Sequence, residues 1–184
     1  MVTAKENSSR IRDMVYIALF AGLIAVCAWI SIPTTVPFTM QTFAVFAAVG
    51  ILGGKRGTMA VLVYILLGAV GLPVFAGFNA GMGALLGTTG GYILGFLGSG
   101  LVMWAMESLP GKRRLVLFAS MVTGLLVCYA FGTVWFTLVY TRTTGAVSFA
   151  TVLGWCVIPF IIPDLLKIGL AMLITGRVKP LMRH

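Results

Sequence analysis

Residues 37–72 read PFTMQTFAVFAAVGILGGKRGTMAVLVYILLGAVGL, two apolar runs joined by the turn Gly53-Gly54-Lys55-Arg56-Gly57. Lys55 and Arg56 are the only charged residues in this stretch. Charges, prolines and glycine clusters punctuate segment ends, so the runs read as helices over 37–53 and 57–72. A full membrane span needs ~20 residues at about 1.5 Å of rise each. Both helices fall short of that and are expected to stop below the outer surface. Followed outward, the same punctuation gives helices over 14–32, 90–107, 115–139 and 149–175, in a single membrane domain covering 1–184.

Composition agrees with lipid as the solvent. Of the 184 residues, 60% are hydrophobic and 9% charged, with a mean hydropathy of +1.07. A soluble domain carries about 25% charged residues. The apolar content exceeds what one soluble core could hide, so lipid must cover the rest. The run over 14–32 is longer than the apolar core of a secretory signal, and five more apolar segments follow. It is expected to be a permanent first span.

Counting charges orients the bundle. With the N-terminus cytoplasmic, the inner segments carry Lys5, Arg10 and Arg12, then Lys55 and Arg56, then Lys112, Arg113 and Arg114, then Arg177, Lys179 and Arg183. That is eleven of the thirteen basic residues, as the positive-inside rule requires. The outer loops hold only Arg142, and Lys167 lies within the last helix. An odd number of spans would spoil this partition, so six helices with both termini cytoplasmic are expected. The net charge of +9 is thereby explained by the membrane. No basic face interleaved with aromatics exists of the kind nucleic acid would need.

The outer loop over 71–90, GLPVFAGFNAGMGALLGTTG, carries no charge. Loops beyond ~12–15 residues are uncommon unless functional or disordered. Disorder does not suit a segment holding Phe75, Phe78, Met82, Leu85 and Leu86. The loop is expected to fold back at membrane depth, where irregular backbone must be buried or line a cavity. A binding pocket near the outer face follows.

Asp164 and Lys167, in Pro163-Asp164-Leu165-Leu166-Lys167, lie three apart and share a helix face. A charge at membrane depth costs roughly 2.5–3.5 kcal/mol on insertion scales, so the two are expected to pair inward. They form either a structural salt bridge or, the favoured reading, the polar pole of an apolar pocket. Pro159 and Pro163 each remove a backbone donor and should distort the helix beside them. Asn79 is the one amide of the long outer loop. It could meet a urea or amide group of a ligand, or cap the loop's own backbone. Gln41 is a similar candidate, and Tyr92 either faces the cavity or anchors at the interface.

Cys27, Cys128 and Cys156 lie in apolar runs without CxxC spacing and read as small buried side chains. His184 is the only histidine and reads as solvated. Small residues recur four apart at Ala18/Gly22 and Ala21/Ala25, at Gly87, Gly91, Gly95 and Ser99, and at Ser120, Gly124, Cys128 and Gly132. Such stripes let helices approach closely. The chain has no GxxxxGK[ST] loop, no HExxH motif and no Ser/His/Asp set. Four acidic residues in all leave little for general acid–base catalysis, so an enzyme is not expected.

Several of these motifs together have a family likeness. Gly71-Leu72-Pro73-Val74-Phe75, then Gly77-Phe78-Asn79-Ala80-Gly81, Gly90-Gly91-Tyr92 and Gly95-Phe96 resemble the BioY family. So do Val36-Pro37 through Gln41, the turn Gly54-Lys55-Arg56-Gly57, and the ending Pro163-Asp164-Leu165-Leu166-Lys167. The likeness runs in order along nearly the whole chain. BioY proteins are the biotin-specific S components of energy-coupling factor (ECF) transporters.

The resemblance implies an all-α, six-transmembrane-helix S-component bundle in the bacterial cell membrane, holding biotin with high affinity under its outer loops. It implies that Asn79, Asp164 and Lys167 contact the ureido end, with Gln41 and Tyr92 nearby and Phe78 and Gly91 among the binding residues. It also implies a transmembrane coupling subunit docked on Ala18, Gly22, Ala21 and Ala25, two ATPase subunits beneath, and no cofactor. Ile93 stands where some relatives carry arginine after Gly-Gly-Tyr, which leaves Arg142 or Lys167 as the cations for a carboxylate. An apolar cavity with an Asp–Lys–Asn pole suits a urea, a fused ring and an aliphatic acid. A flavin or thiazolium vitamin would favour more aromatic walls and a carboxylate facing a cation.

Overall fold

The computed structural model describes residues 2–182, with side chains from residue 7 onward. Lys5, Glu6, Arg183 and His184 lie outside the described side chains. The chain runs α1 (Val2–Trp29), β1 (Ser31–Ile32), β2 (Phe38–Thr39), α2 (Gln41–Leu52), α3 (Gly54–Ala69), α4 (Gly81–Leu86), α5 (Gly90–Met106), α6 (Arg113–Thr143), α7 (Phe149–Cys156) and α8 (Ile161–Leu181). Single 3-10 turns occupy Ala76–Phe78 and Ile158–Phe160. Among the described residues, three stretches are long and apolar enough to cross a membrane: Asn7–Trp29, Arg113–Thr143 and Phe149–Leu181. α2 and α5 are apolar but shorter.

α2 is the axis of the bundle. Every one of its residues except Phe43 is buried, as a helix that is apolar all round requires. α8, α3, α1 and α5 pack around it. Gly53, at φ +86, ends α2 and turns the chain directly into α3. Glu107 accepts the Gly54 amide at 2.7 Å, and Arg56 pairs with Asp13 at 3.1 Å. These contacts tie the basic turn to α5 and α1.

α5 and α6 form the most extensive helix pair, and their small-residue stripes face one another. A Cβ on Gly91 would meet the Trp135 ring, one on Gly95 would meet Cys128, and one on Gly132 would meet the Tyr92 ring. Ser99 closes the crossing by donating to the Gly124 carbonyl at 2.7 Å. Close approach of this kind is what small residues permit in a membrane bundle.

The structure departs from several expected boundaries. The helix over 37–53 begins only at Gln41, because residues 38–39 pair antiparallel with 31–32 in a short ribbon. The helix over 57–72 begins at Gly54 and stops at Ala69. The helix over 115–139 extends to Thr143, since no glycine or proline follows Val139 before Gly145. The helix over 14–32 starts far earlier, at Val2, and ends at Trp29.

The largest correction concerns the helix over 149–175, which is two helices. Val157 leaves helical geometry (φ −125, ψ −57), and a 3-10 turn carrying Pro159 precedes α8. Proline removes a backbone donor and crowds the preceding turn. Asp164 therefore sits in the first turn of α8 rather than mid-helix.

The outer loop over 71–90 is also more ordered and less inward than expected. It holds α4 and a 3-10 turn. Phe75 and Leu85 are buried, whereas Phe78, Met82 and Leu86 are exposed. Left-handed backbone at Gly77 (φ +67) and Phe78 (φ +59) reverses the chain there and turns the Phe78 ring outward. Gly68 leaves room for the Phe75 ring, which meets Tyr64 edge-on at 5.6 Å.

The helix 1 stripe divides. Ala18 and Gly22 are exposed, and Gly22 has no neighbour within 4 Å of a built Cβ. Ala21 and Ala25 are buried within the chain's own bundle. α2 and α3 cover that row of α1, which leaves Ala18 and Gly22 as the open part of the stripe.

Candidate functional site

The start of α8, the middle of α6 and the first turns of α2 and α5 converge under the β ribbon and the 71–90 loop. They enclose a cavity of about 470 Å³, within the 300–1,000 Å³ or so usual for small-molecule sites. Its walls include Phe75, Ile93, Phe96, Leu125 and Phe160.

Asp164 and Lys167 form its polar pole. Both are almost fully buried, at 3% and 6% exposure, and Lys167 Nζ lies 2.8 Å from Asp164 Oδ1. Tyr129, on α6, donates its hydroxyl to Asp164 Oδ2 at 2.6 Å. The Lys167 ammonium also stands 4.1 Å from the centroid of the Phe38 ring, and that ring stacks on Phe160. A buried ion pair is tolerable only with good geometry and further hydrogen bonds, and all of these are supplied. Capacity is left over. A carboxylate offers about four lone-pair sites and an ammonium three donors, so both groups can still meet a ligand.

Gln41, Tyr92 and Asn79 also line the cavity. Gln41 Nε2 donates to the Tyr64 hydroxyl at 2.9 Å, and its backbone N–H donates to Thr39 Oγ1 at 3.2 Å. The Tyr92 hydroxyl lies 3.1 Å from Thr133 Oγ1, which orients the ring between α5 and α6. Asn79 does two things at once. Its Nδ2 caps the loop by donating to the Ala76 carbonyl at 2.8 Å, and the residue lines the cavity.

Phe78 and Gly91 are absent from the lining. Phe78 is 63% exposed and stacks on Trp29 at 5.2 Å. Gly91 serves the α5–α6 crossing against Trp135. Arg142 is exposed at the end of α6 and does not reach the cavity, so Lys167 is the cation that lines it. Ile93 contributes an apolar wall.

Tyr129, Thr39 and Phe160 were not legible as site residues. Tyr129 lies 35 residues from Asp164, and nothing in an apolar helix says which neighbour a hydroxyl will meet. One faint signal existed: Tyr129 is a polar-tipped ring in the middle of a long apolar run, and such a hydroxyl needs a partner when buried.

A test of the pole follows. Tyr129→Phe removes one charge-assisted hydrogen bond, worth roughly 1.5–3 kcal/mol to an ionised group. Ligand affinity in detergent-solubilised protein is expected to fall about tenfold by titration calorimetry, with the thermal midpoint lowered by a few degrees. Phe78→Ala, by contrast, should leave affinity within about twofold, because its ring lies outside the cavity.

Comparison with known proteins places the chain among relatives. The BioY family model matches residues 3–184. The chain is 42% identical to the biotin transporter BioY of Thermotoga maritima over 171 residues, covering 92% of this chain and 97% of that one. It is 38% identical to a probable biotin transporter BioY of Pyrococcus horikoshii, covering 91% and 96%. In three dimensions it is similar to a crystal structure described as the S-component for biotin from an ECF-type ABC transporter. The TM-score is 0.80 at 24% identity, covering 97% of this chain and 94% of that one. That likeness establishes a shared fold.

Proposed function

Because the chain belongs to the BioY family, we propose that it is the high-affinity biotin-binding S component of an ECF-type vitamin uptake transporter, a transport subunit rather than an enzyme. The observation that carries this reading is the Asp164–Lys167 pair, held by Tyr129 at the end of an apolar cavity. In this reading the ureido N–H groups of biotin donate to Asp164, and the ureido oxygen accepts from Lys167 and Asn79. The fused ring packs on Phe96, Phe160 and Tyr92. Gln41 stays oriented by Tyr64 at the ribbon side.

The chain crosses the bacterial cell membrane six times, with both termini cytoplasmic. The spans are α1, α2 with its ribbon, α3, α5, α6, and the broken α7–α8 pair. The eleven basic residues that the sequence assigns to the inner segments support this count. α4, at six residues, is too short to span and belongs to the outer loop. A transmembrane coupling subunit docks on the open Ala18/Gly22 face of α1, with two ATPase subunits beneath it supplying the energy. Gly22 leaves backbone bare for such an approach, the arrangement that favours close helix pairing in lipid.

Calorimetry on the purified chain tests the ligand assignment directly. Biotin is expected to bind with submicromolar affinity, and riboflavin and thiamin are not. Biotin binding weaker than micromolar, or equal binding of the three, would overturn the assignment.

A further inference from the structure

At the other end of the same four helices lies a second opening, a groove of about 1260 Å³. It is bounded by the ends of α2 and α5, the start of α6 and the last turns of α8. Along its depth the walls are apolar, through Val116, Leu117, Met172 and Leu173. At its mouth stand Arg113, Arg114 and Arg177, all exposed and none in an ion pair among the described residues.

The groove's acidic residue is already engaged. Glu107 accepts the Gly54 amide at 2.7 Å and lies 3.9 Å from Lys179. Lys179 in turn donates to the Gly50 carbonyl at 2.9 Å. The three arginines therefore leave the mouth strongly positive. Inside, the Thr175 hydroxyl is sealed against Gly50 of α2 and faces no ligand.

We propose that this groove binds one anionic glycerophospholipid of the adjoining leaflet. Its phosphate lies against Arg113, Arg114 and Arg177, and its acyl chains follow Val116, Leu117 and Leu173. The distribution of polarity carries the choice of occupant. Charge is confined to the mouth and hydrocarbon fills the depth, which is the pattern of a lipid standing in its own leaflet. An amphipathic partner helix would present polar side chains along its length. Below the mouth the groove offers such a helix no open side-chain hydroxyl, since Ser120 is spent on the Leu117 carbonyl and the Thr175 oxygen is sealed. Basic pockets between helices at the cytoplasmic side are a recurring way to hold anionic head groups. The inference uses the membrane orientation proposed above but not the identity of the vitamin.

Native mass spectrometry of the full chain, titrated with phosphatidylglycerol or phosphatidylcholine of identical acyl chains, tests it. Phosphatidylglycerol adducts are expected to exceed phosphatidylcholine adducts at least fivefold. The combined variant Arg113→Gln, Arg114→Gln, Arg177→Gln should bring the two lipids level. Gly176→Phe supplies a second, charge-neutral arm. Gly176 lines the groove with open space beyond its Cα, so a ring there fills the hydrocarbon path, and adducts of both lipids should fall together.

Equal retention of the two lipids by the unmodified chain would overturn the proposal, as would an undiminished preference in the arginine variant or undiminished adducts in Gly176→Phe. Displacement of the lipid by millimolar inorganic phosphate would also overturn it, by showing an anion site indifferent to acyl chains. Biotin calorimetry run alongside keeps the two readings separate. A lipid preference that persists when biotin fails to bind leaves this inference standing and removes only the vitamin.

Discussion

Asp164→Asn and Lys167→Met are each expected to weaken biotin binding at least tenfold, and the double variant to regain thermal stability without regaining affinity. The single changes leave one charged group buried without its partner. Breaking a buried pair from one side costs about 3–5 kcal/mol, whereas replacing both members by neutral groups of similar volume is often near neutral. Tyr129 softens the Lys167→Met case, since its hydroxyl still donates to Asp164. Asp164→Asn leaves the Lys167 ammonium with the Phe38 ring face and an amide oxygen. The double variant therefore separates two roles. If the pair only braces α8 within the bundle, the neutral double variant binds biotin like the parent protein. If the pair meets the ureido group, the double variant melts like the parent and still fails to bind. Thermal melts and calorimetry in the same detergent read both quantities.

Gly132→Leu is expected to cost affinity ten- to a hundredfold, with a smaller loss for Gly132→Ala. A Cβ at Gly132 would overlap the Tyr92 ring at its Cδ1 and Cγ atoms. These atoms sit near the ring's root, so the side chain cannot swing its tip away. Tyr92 must move toward the cavity it lines, and its hydrogen bond to Thr133 is lost. Overpacking of this kind costs typically about 1–3 kcal/mol, and here the displaced ring also occupies ligand volume. Gly154→Leu is the control: Gly154 is exposed on α7 with nothing within 4 Å of its Cβ position. Its affinity should stay within twofold of the parent. Equal losses at positions 132 and 154 would remove the Tyr92 argument.

How much of this was legible depends on the range of the interaction. Asp164 and Lys167 are three apart, and helix geometry alone places them together, as the 2.8 Å contact records. Pro159 and Pro163 announced a distortion of the last helix, but the complete break at Val157 was not foreseen. Asn79 had two open readings, and the structure gives it both the Ala76 bond and a place in the cavity lining. Phe75 and Phe78 could not be told apart, since both are aromatic residues in one uncharged loop. The left-handed backbone at Gly77 and Phe78 sends one ring inward and the other out to Trp29. Ala18/Gly22 and Ala21/Ala25 likewise look alike as spacings. Only the position of α2 and α3 decides which row is covered.

By itself, then, the sequence determined the solvent, the basic end of the bundle, the ion pair and the family, because composition, turn charges and near-neighbour spacing act over a few residues. The tertiary structure alone decided that Tyr129 completes the pole, that Gly91 packs on Trp135, and that Ala21 and Ala25 face inward. Each of those depends on which apolar surface meets which. Between helices that lipid and protein cover almost equally well, shape and small-residue clearance make that choice, and neither is written in the periodicity of one segment.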